Sequence, residues 1–135
     1  MKDLKLQHFA ETVIGKVRKG NEDAIGNAKS GEIKDNGHLF IVCDGMGGHV
    51  GGAIAANAAV DRIKEYFTLQ YHADPINALR EAIKFANQQI FLQSQMKPEL
   101  KGMGTTCTVL LQREDKIFIA HVGDSRIYIQ SNKKL

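Results

Sequence analysis

One stretch of fifteen residues, His38 to Gly52, constrains the fold of this chain more than any other. It begins with the apolar run Leu39 to Cys43, whose β-branched and aromatic residues predict a short buried strand. Asp44 follows where this strand ends, and five of the next eight residues are glycines. Because glycine permits positive φ and close backbone approach, the stretch predicts a carboxylate at a strand end, above a bare loop.

The segment after this loop, Ala53 to Leu69, is predicted to be a helix with one apolar face, formed by Ala55, Ala59, Ile63 and Phe67. A helix N-terminus offers free N–H groups and a partial positive charge, so the layout suits an anion or a metal ion. The alternative is a plain glycine-rich turn with Asp44 as a cap, since an isolated glycine loop is a weak signal.

Length and composition indicate one domain with a real core, since the chain has 135 residues. Its formal net charge of +3 is too small to predict nucleic-acid binding. No apolar run reaches transmembrane length, and the N-terminus has no apolar signal core, so we expect a cytoplasmic protein without membrane contact. Cys43 and Cys107 lie in apolar runs and are predicted to be buried free thiols, without zinc-ligand spacing.

The first third of the chain predicts two more strands, Gln7 to Gly15 and Ala24 to Ala28. The turn signal Asp35-Asn36-Gly37 joins the second of them to the Leu39 strand as a hairpin. Between the two strands, Lys16 to Ala24 contains three cations and two adjacent carboxylates. This segment is either a solvated charged turn or a metal-binding acid beside a phosphate-binding arginine.

The remaining residues predict a second helix and a meander of strands. Asp74 is an N-cap and Pro75 a first helical residue; the apolar stripe of this helix is Ile76, Leu79, Ile83, Ala86 and Ile90. Three antiparallel strands are predicted after it, Cys107 to Gln112, Ile117 to Val122 and Ser125 to Gln130. A turn that contains Asp124 joins the last two.

Four separated motifs together resemble the bacterial branch of the metal-dependent serine/threonine phosphatases, the type 2C or PPM family. They are Arg18 with Asn21-Glu22-Asp23-Ala24, Val42-Cys43-Asp44-Gly45-Met46-Gly47-Gly48-His49, Gly102-Met103-Gly104-Thr105-Thr106, and Val122-Gly123-Asp124-Ser125-Arg126. Each motif alone is modest, but their order and separation are specific, and they cover nearly the whole chain.

The resemblance implies an α+β fold, a β-sandwich flanked by helices on both faces in four layers (αββα), with a metal centre at one end between the sheets. Family domains run to about twice this length. Residues 1–135 would then be the N-terminal part of a single phosphatase catalytic domain, incomplete at its C-terminus. The other half normally supplies a Ser-Asp-Gly and an Asp-Asn motif, whose aspartates complete the first metal site.

The resemblance also implies metal ligands. Asp44 matches the carboxylate that bridges two Mg²⁺ or Mn²⁺ ions, and Gly45 would lend its backbone carbonyl to one of them. Glu22 matches the acid that serves the second ion, with Asp23 supporting it. Asp124 matches the residue that binds a third ion in bacterial members. These oxygen donors are the kind that hard divalent cations prefer.

The implied reaction is hydrolysis of phosphoserine or phosphothreonine in a protein substrate by a metal-activated water. Arg18 matches the arginine that grips the substrate phosphate. Met46 stands where many eukaryotic members have a histidine proposed as general acid. His49, further along the loop, is expected to make a structural hydrogen bond, and His121 to be a satisfied core or sheet-face residue.

A second function remains open: a catalytically inactive, phosphatase-like module that binds phosphate or regulates a partner. Asn132 to Leu135 resembles the start of a turn without a closing element, which favours a truncated enzyme. Such a chain is expected to dimerise through exposed strand edges, or to need its C-terminal half.

Overall fold

The computed structural model of the chain describes residues 6–47 and 50–132. The elements in chain order are β1 (Asp23–Ala28), β2 (His38–Met46), α1 (Val50–Leu69), α2 (Pro75–Met96), a 3₁₀ turn (Pro98–Leu100), β3 (Gly104–Thr105), β4 (Cys107–Arg113) and β5 (Lys116–Val122). The expected hydrogen bond of His49, and the predicted turn at residues 132–135 beyond its first residue, lie outside the described residues.

The strands form one antiparallel sheet in the order β1-β2-β4-β5, and β3 pairs with the end of β2. The predicted hairpin between β1 and β2 is confirmed, with Ala28 opposite Leu39 and Asp23 opposite Asp44. A tight turn at Glu114, whose φ is 55°, joins β4 to β5. The two motif-bearing strand ends, at Asp44 and at Val122, therefore belong to the same sheet.

β2 lies between β1 and β4 in the sheet. Its side chains alternate between a buried face and a more exposed face. Leu39, Ile41 and Cys43 are buried beneath the helices, as their place in an apolar run predicted. Cys107 on β4 is buried as well, and both cysteines are free thiols, as expected.

α1 begins at Val50, three residues before the predicted start, so Gly51 and Gly52 belong to its first turn. The predicted apolar face is confirmed, since Ala55, Ala59, Ile63 and Phe67 are all buried. This helix packs on β1 and β2 and places Gly52 of its first turn against Gly45, the residue after Asp44.

α2 begins as its sequence predicted. The Asp74 side chain accepts a hydrogen bond from the backbone N–H of Ile76 at 2.9 Å, and Pro75 is the first helical residue. Leu79, Ala86 and Ile90 are buried, whereas Ile76 is 48% exposed and ends the apolar stripe. Neither described long helix has the length and hydropathy that a membrane span requires.

The architecture is α+β, with both helices on one face of the sheet. The opposite face carries Phe40, Val42, Leu110 and Ile117, and residues 6–11 lie against part of it. The described residues thus form one sheet and one helical layer of the four layers that the family resemblance implied.

Two predicted strands are wrong. Gln7 to Gly15 is irregular, with Phe9 84% and Val13 69% exposed, and Ser125 to Gln130 is irregular as well. A strand needs a neighbour that accepts and donates its backbone hydrogen bonds. Within the described residues, neither segment pairs with the outer edges of β1 or β5. The predicted three-stranded meander is therefore a two-stranded hairpin.

Candidate functional site

The β1–β2 hairpin gathers acidic residues at one end of the sheet. Its register sets Asp23 directly opposite Asp44, and Glu22 immediately precedes Asp23. The backbone N–H of Gly45 donates to the carbonyl oxygen of Glu22 at 2.9 Å. Main-chain pairing thereby holds Asp44 close to the adjacent acids Glu22 and Asp23, although Asp44 follows Asp23 by 21 positions in the sequence.

Asn21 fixes the turn that leads into these acids. Its side-chain oxygen accepts the backbone N–H of Asp23 at 3.0 Å, and its amide nitrogen donates to the Thr12 hydroxyl at 2.9 Å. This is the side-chain-to-backbone bond two residues onward that favours asparagine in turns. Asn21 belongs to one of the four motifs but had no predicted role, although its spacing from Asp23 was a usable signal.

The acids repel one another. Although much of Asp23 faces solvent, desolvation of its carboxyl group and the nearby charge of Asp44 raise its pKa above the ordinary value. A hydrogen bond with Asp44 and the charge of Glu22 act in the same direction. Like charges in directly opposite strand positions are unfavourable, so the site is one that a bound cation would relieve.

Arg18 lies beside Glu22, with 3.7 Å between its Nη1 atom and the Oε2 atom of Glu22. The arginine side chain is 78% exposed and the glutamate side chain 19% exposed. A pair at this distance, with its arginine in solvent, holds the arginine weakly, so Arg18 is free to reorient toward a ligand in the solvent-facing part of the site.

Two glycines let the helix approach the acids closely. A Cβ atom on Gly45 would lie 2.0 Å from the backbone oxygen of Gly52 and 2.8 Å from that of Glu22. A Cβ atom on Gly52 would lie 2.9 Å from the Oε1 atom of Glu22. These two glycines of the glycine-rich stretch therefore serve packing between the end of β2, the first turn of α1 and Glu22.

Replacing Gly45 by alanine is expected to destabilise the chain by about 1–3 kcal/mol, because backbone atoms must move to make room for the methyl group. Urea unfolding followed by circular dichroism measures the loss. Gly20→Ala is the matched control, since nothing lies within 4 Å of its added Cβ atom; its effect should stay within about 0.5 kcal/mol. Equal effects of the two substitutions would contradict the packing role.

Thr106 connects Asp44 to the turn that contains Asp124. The backbone N–H of Asp44 donates to the Thr106 hydroxyl, and the backbone N–H of Thr106 donates to the Asp44 carbonyl, both at 2.9 Å. The same hydroxyl lies 2.9 Å from the Ser125 hydroxyl. Thr106 is 2% exposed, and its side chain occupies the space that a Cβ atom on Gly123 would need. Thr106 belongs to the third motif but had no predicted role of its own.

The predicted site residues come together with one exception. Arg18, Glu22, Asp23, Asp44 and Gly45 all line a cavity of about 220 Å³. Asp124 is exposed in its turn and does not line this cavity, although Ser125 joins that turn to Thr106. Within residues 6–47 and 50–132, no three acidic, histidine or cysteine side chains are arranged to enclose a metal ion.

Predictions were also made for His121 and Met46. The His121 ring nitrogens lie 2.9 Å from the Thr108 hydroxyl and 2.9 Å from the Gly123 carbonyl oxygen, so this residue is a satisfied sheet-face histidine, as expected. Met46 is 52% exposed at the end of β2.

The donor set matches hard divalent cations in kind. Carboxylates of Asp44, Glu22 and Asp23 and the carbonyl of Gly45 are oxygen ligands of the type that Mg²⁺ and Mn²⁺ prefer. In number they fall short, because no three acidic, histidine or cysteine side chains among the described residues are placed to hold an ion. The described residues therefore fit as part of a metal site that takes further ligands from elsewhere.

Comparison with known proteins agrees with this chemistry. The family model for protein phosphatase 2C matches residues 16–135. The serine/threonine phosphatase stp of Listeria welshimeri is 39% identical over 125 residues, which are 90% of this chain and 48% of that protein. The serine/threonine protein phosphatase PstP of Mycobacterium tuberculosis is 31% identical over 132 residues, 98% of this chain and 24% of that protein. The chain thus spans half or less of the length of these relatives.

Solved structures give the same result. A crystal structure of a bacterial serine phosphatase matches with a TM-score of 0.74 and 39% identity, covering 86% of this chain and 47% of that one. The catalytic domain of PstP in complex with 2 manganese ions matches with a TM-score of 0.75 and 32% identity, covering 89% and 49%. The α+β fold and the family resemblance are confirmed, and this chain belongs to the protein phosphatase 2C family.

Proposed function

We propose that this chain is the N-terminal part of the catalytic domain of a metal-dependent phosphatase that acts on phosphoserine and phosphothreonine in proteins. The observation that carries the proposal is that Arg18, Glu22, Asp23, Asp44 and Gly45 line one cavity. The match to serine/threonine phosphatases over most of the chain supports it.

The proposed role of each residue follows from its chemical groups. Asp44, held by Thr106 at the strand end, would supply the carboxylate that the ions share, while Glu22 and the Gly45 carbonyl would supply further oxygen ligands. Two Mg²⁺ or Mn²⁺ ions, when bound, activate a water molecule at neutral pH. Arg18 binds the phosphoryl oxygens through paired N–H donors and neutralises their charge. Asp124 would serve a third ion from its neighbouring turn.

The chain by itself is expected to bind these ions weakly and to hydrolyse phosphate esters slowly or not at all. Its described residues contain no group of three side chains placed to hold an ion, and each absent anionic ligand weakens the attraction for a divalent ion. The apolar sheet face at Val42, which is 49% exposed, and Ile117, which is 60% exposed, favours association with a second copy or with a C-terminal half.

A chimera tests the proposal directly. Residues 1–135 are joined to the C-terminal half of the Listeria welshimeri relative to give what we call the extended protein. Hydrolysis of p-nitrophenyl phosphate and of phosphoserine, phosphothreonine and phosphotyrosine peptides is then measured with Mn²⁺, with Mg²⁺ and with a chelator. Metal-dependent hydrolysis of the first two peptides, together with little turnover by the 135-residue chain, is the expected result.

Two outcomes would count against it. A folded extended protein that binds inorganic phosphate but hydrolyses nothing would support the inactive phosphate-binding or regulatory module. Turnover by the 135-residue chain at the rate of the Listeria enzyme would show that the site described here is complete.

Arg18 is expected to act on substrate and not on metal. In the extended protein, Arg18→Ala should raise KM for a phosphopeptide about ten- to hundredfold, since a hydrogen bond to a charged group contributes about 1.5–3 kcal/mol. Mn²⁺ affinity measured by calorimetry should hardly change, because an exposed pair with Glu22 is weak.

Arg80→Ala is the matched control, because Arg80 is an exposed arginine on α2 outside the cavity. It should leave both quantities unchanged. A large loss of Mn²⁺ affinity in Arg18→Ala would instead assign this arginine to the support of Glu22.

A further inference from the structure

The two cysteines of the chain face each other across neighbouring strands. The register that pairs Val42 with Thr108 and Gly45 with Thr105 sets Cys43 directly opposite Cys107. Both side chains are buried, Cys43 completely and Cys107 to 6% exposure. The sequence placed the two residues in separate apolar runs, and the sheet brings them together.

The pair occupies the kind of ladder position in which side chains are closest. Next to it, the N–H of Thr106 donates to the carbonyl of Asp44, so Asp44 and Thr106 are a hydrogen-bonded pair. Hydrogen-bonded and non-hydrogen-bonded pairs alternate along an antiparallel ladder, so Cys43 and Cys107 are non-hydrogen-bonded, with Cα atoms about 4.5 Å apart. That separation lies within the span of about 4.4–6.8 Å that disulfides bridge.

A small oxidant can reach one of the two thiols. Cys107 lines a cavity of about 530 Å³ between the two helices and the loop at residues 101–105, together with Met46, Met103 and Phe91. Cys43 does not line it. The cavity is separate from the acidic one at Arg18 and Asp44, which shares no lining residue with it. The pair therefore has an entry path that does not pass through the candidate metal site.

We propose that Cys43 and Cys107 form a reversible cross-strand disulfide in response to hydrogen peroxide. Cys107, as thiolate, attacks one peroxide oxygen; an S–O bond forms, the O–O bond breaks, and hydroxide leaves and is protonated to water. The sulfur of Cys43 then attacks the sulfenic sulfur, an S–S bond forms, and the second oxygen leaves as water. Two thiols lose two electrons and two protons, and one peroxide becomes two waters.

This disulfide would join the two strands next to the acidic end of the sheet. Cys43 immediately precedes Asp44, and Cys107 immediately follows Thr106, the residue that holds Asp44. A covalent bond between β2 and β4 there would fix the spacing of the strands one residue away from the acids. A small thiol reductant would reverse it.

The test uses the 135-residue chain and hydrogen peroxide, and needs no enzymatic activity. Treated chain should lose both free thiols in a titration under denaturing conditions, lose the mass of two hydrogens, and remain a single chain on a non-reducing gel. Dithiothreitol should restore both thiols. In Cys43→Ala, dimedone should trap a sulfenic acid on Cys107, whereas in Cys107→Ala the Cys43 thiol should stay unmodified.

Several results would overturn the proposal. One is a wild-type chain that keeps both thiols at a peroxide concentration at which Cys107 is oxidised to the sulfenic acid in Cys43→Ala. Another is a disulfide between two chains rather than within one. A third is preferential labelling of Cys43 by dimedone. Because the mass and thiol count of the wild-type chain decide the matter, the test stands even if a cysteine variant fails to fold.

Discussion

Asp44→Asn is expected to lower the Mn²⁺-dependent phosphatase activity of the extended protein more than about a hundredfold. The substitution keeps the size of the side chain and the main-chain pairing with Thr106, but it removes the negative charge at the strand end. Loss of even an outer partner of a metal ligand typically costs about 10–100-fold. Initial rates across a range of Mn²⁺ concentrations measure the effect.

The same substitution should have the opposite effect on stability. In the 135-residue chain with a chelator present, Asp44→Asn removes a charge directly opposite Asp23. We expect a gain in unfolding free energy at the low end of about 0.2–1 kcal/mol, since water screens these exposed groups. The pKa of Asp23, followed by NMR, should fall toward its ordinary value, because Asp44 is one cause of its elevation.

Asp61→Asn is the matched control for both measurements. Asp61 is an exposed aspartate on α1 that does not line the acidic cavity. It should change neither activity nor the pKa of Asp23. Retention of activity within a few-fold of the parent by Asp44→Asn would refute the bridging role, and an unchanged pKa of Asp23 would show that the two carboxylates do not interact.

The sequence predicted the elements that carry local signals. The Asp74 cap and Pro75 mark the start of α2, and the Asp35-Asn36-Gly37 turn marks the β1–β2 hairpin. Once that hairpin is accepted, the pairing of Asp23 with Asp44 follows from its register. The cluster of acidic residues at the end of the sheet could therefore be predicted from the sequence, because caps, turns and alternation are signals that span only a few residues.

What the sequence could not predict depends on neighbours far along the chain. Partial alternation in Gln7 to Gly15 is compatible with a strand, but strand formation needs a partner edge, and that is a property of the whole sheet. The need for glycine at position 45 arises from α1 and Glu22, which approach from both sides. The position of Asp124 outside the acidic cavity likewise depends on how its turn packs on Thr106.

Asp35 and Arg113 show the same limit most clearly. Asp35 lies in the predicted Asp35-Asn36-Gly37 turn and Arg113 at the end of β4, yet their side chains are 3% and 12% exposed and form a salt bridge between residues 78 positions apart. The Nε atom of Arg113 lies 3.0 Å from each carboxylate oxygen of Asp35, and an Nη2 hydrogen bond adds to the pair. The local sequence around each residue gave no sign that the two meet.

Arg113 also ties down the connection between the helices. Its guanidinium donates to the backbone carbonyls of His72 and Ala73, both at 2.9 Å, and lies 5.3 Å from the centre of the Tyr71 ring. One side chain thus joins the end of β4, the β1–β2 connection and the α1–α2 loop. The arginine can take this buried position because Asp35 neutralises its charge.

Asp35→Ala is expected to destabilise the 135-residue chain by about 3–5 kcal/mol, because it leaves the charge of Arg113 buried without its partner. Small domains have a total stability of about 5–15 kcal/mol, so a large part of the chain should be unfolded at moderate urea. Urea unfolding by circular dichroism measures the shift in midpoint. Asp115→Ala, at an exposed aspartate in the β4–β5 turn, should change it by less than about 0.5 kcal/mol.

A double variant separates the charge effect from the packing effect. Asp35→Ala with Arg113→Met removes both charges, and it should recover part of the loss, since exchange of a buried ion pair for apolar residues is often tolerated. Recovery should be incomplete, because the carbonyls of His72 and Ala73 lose their donor. If the double variant is as unstable as the sum of the two single variants, the cost of Asp35→Ala does not come from an unpaired Arg113 charge.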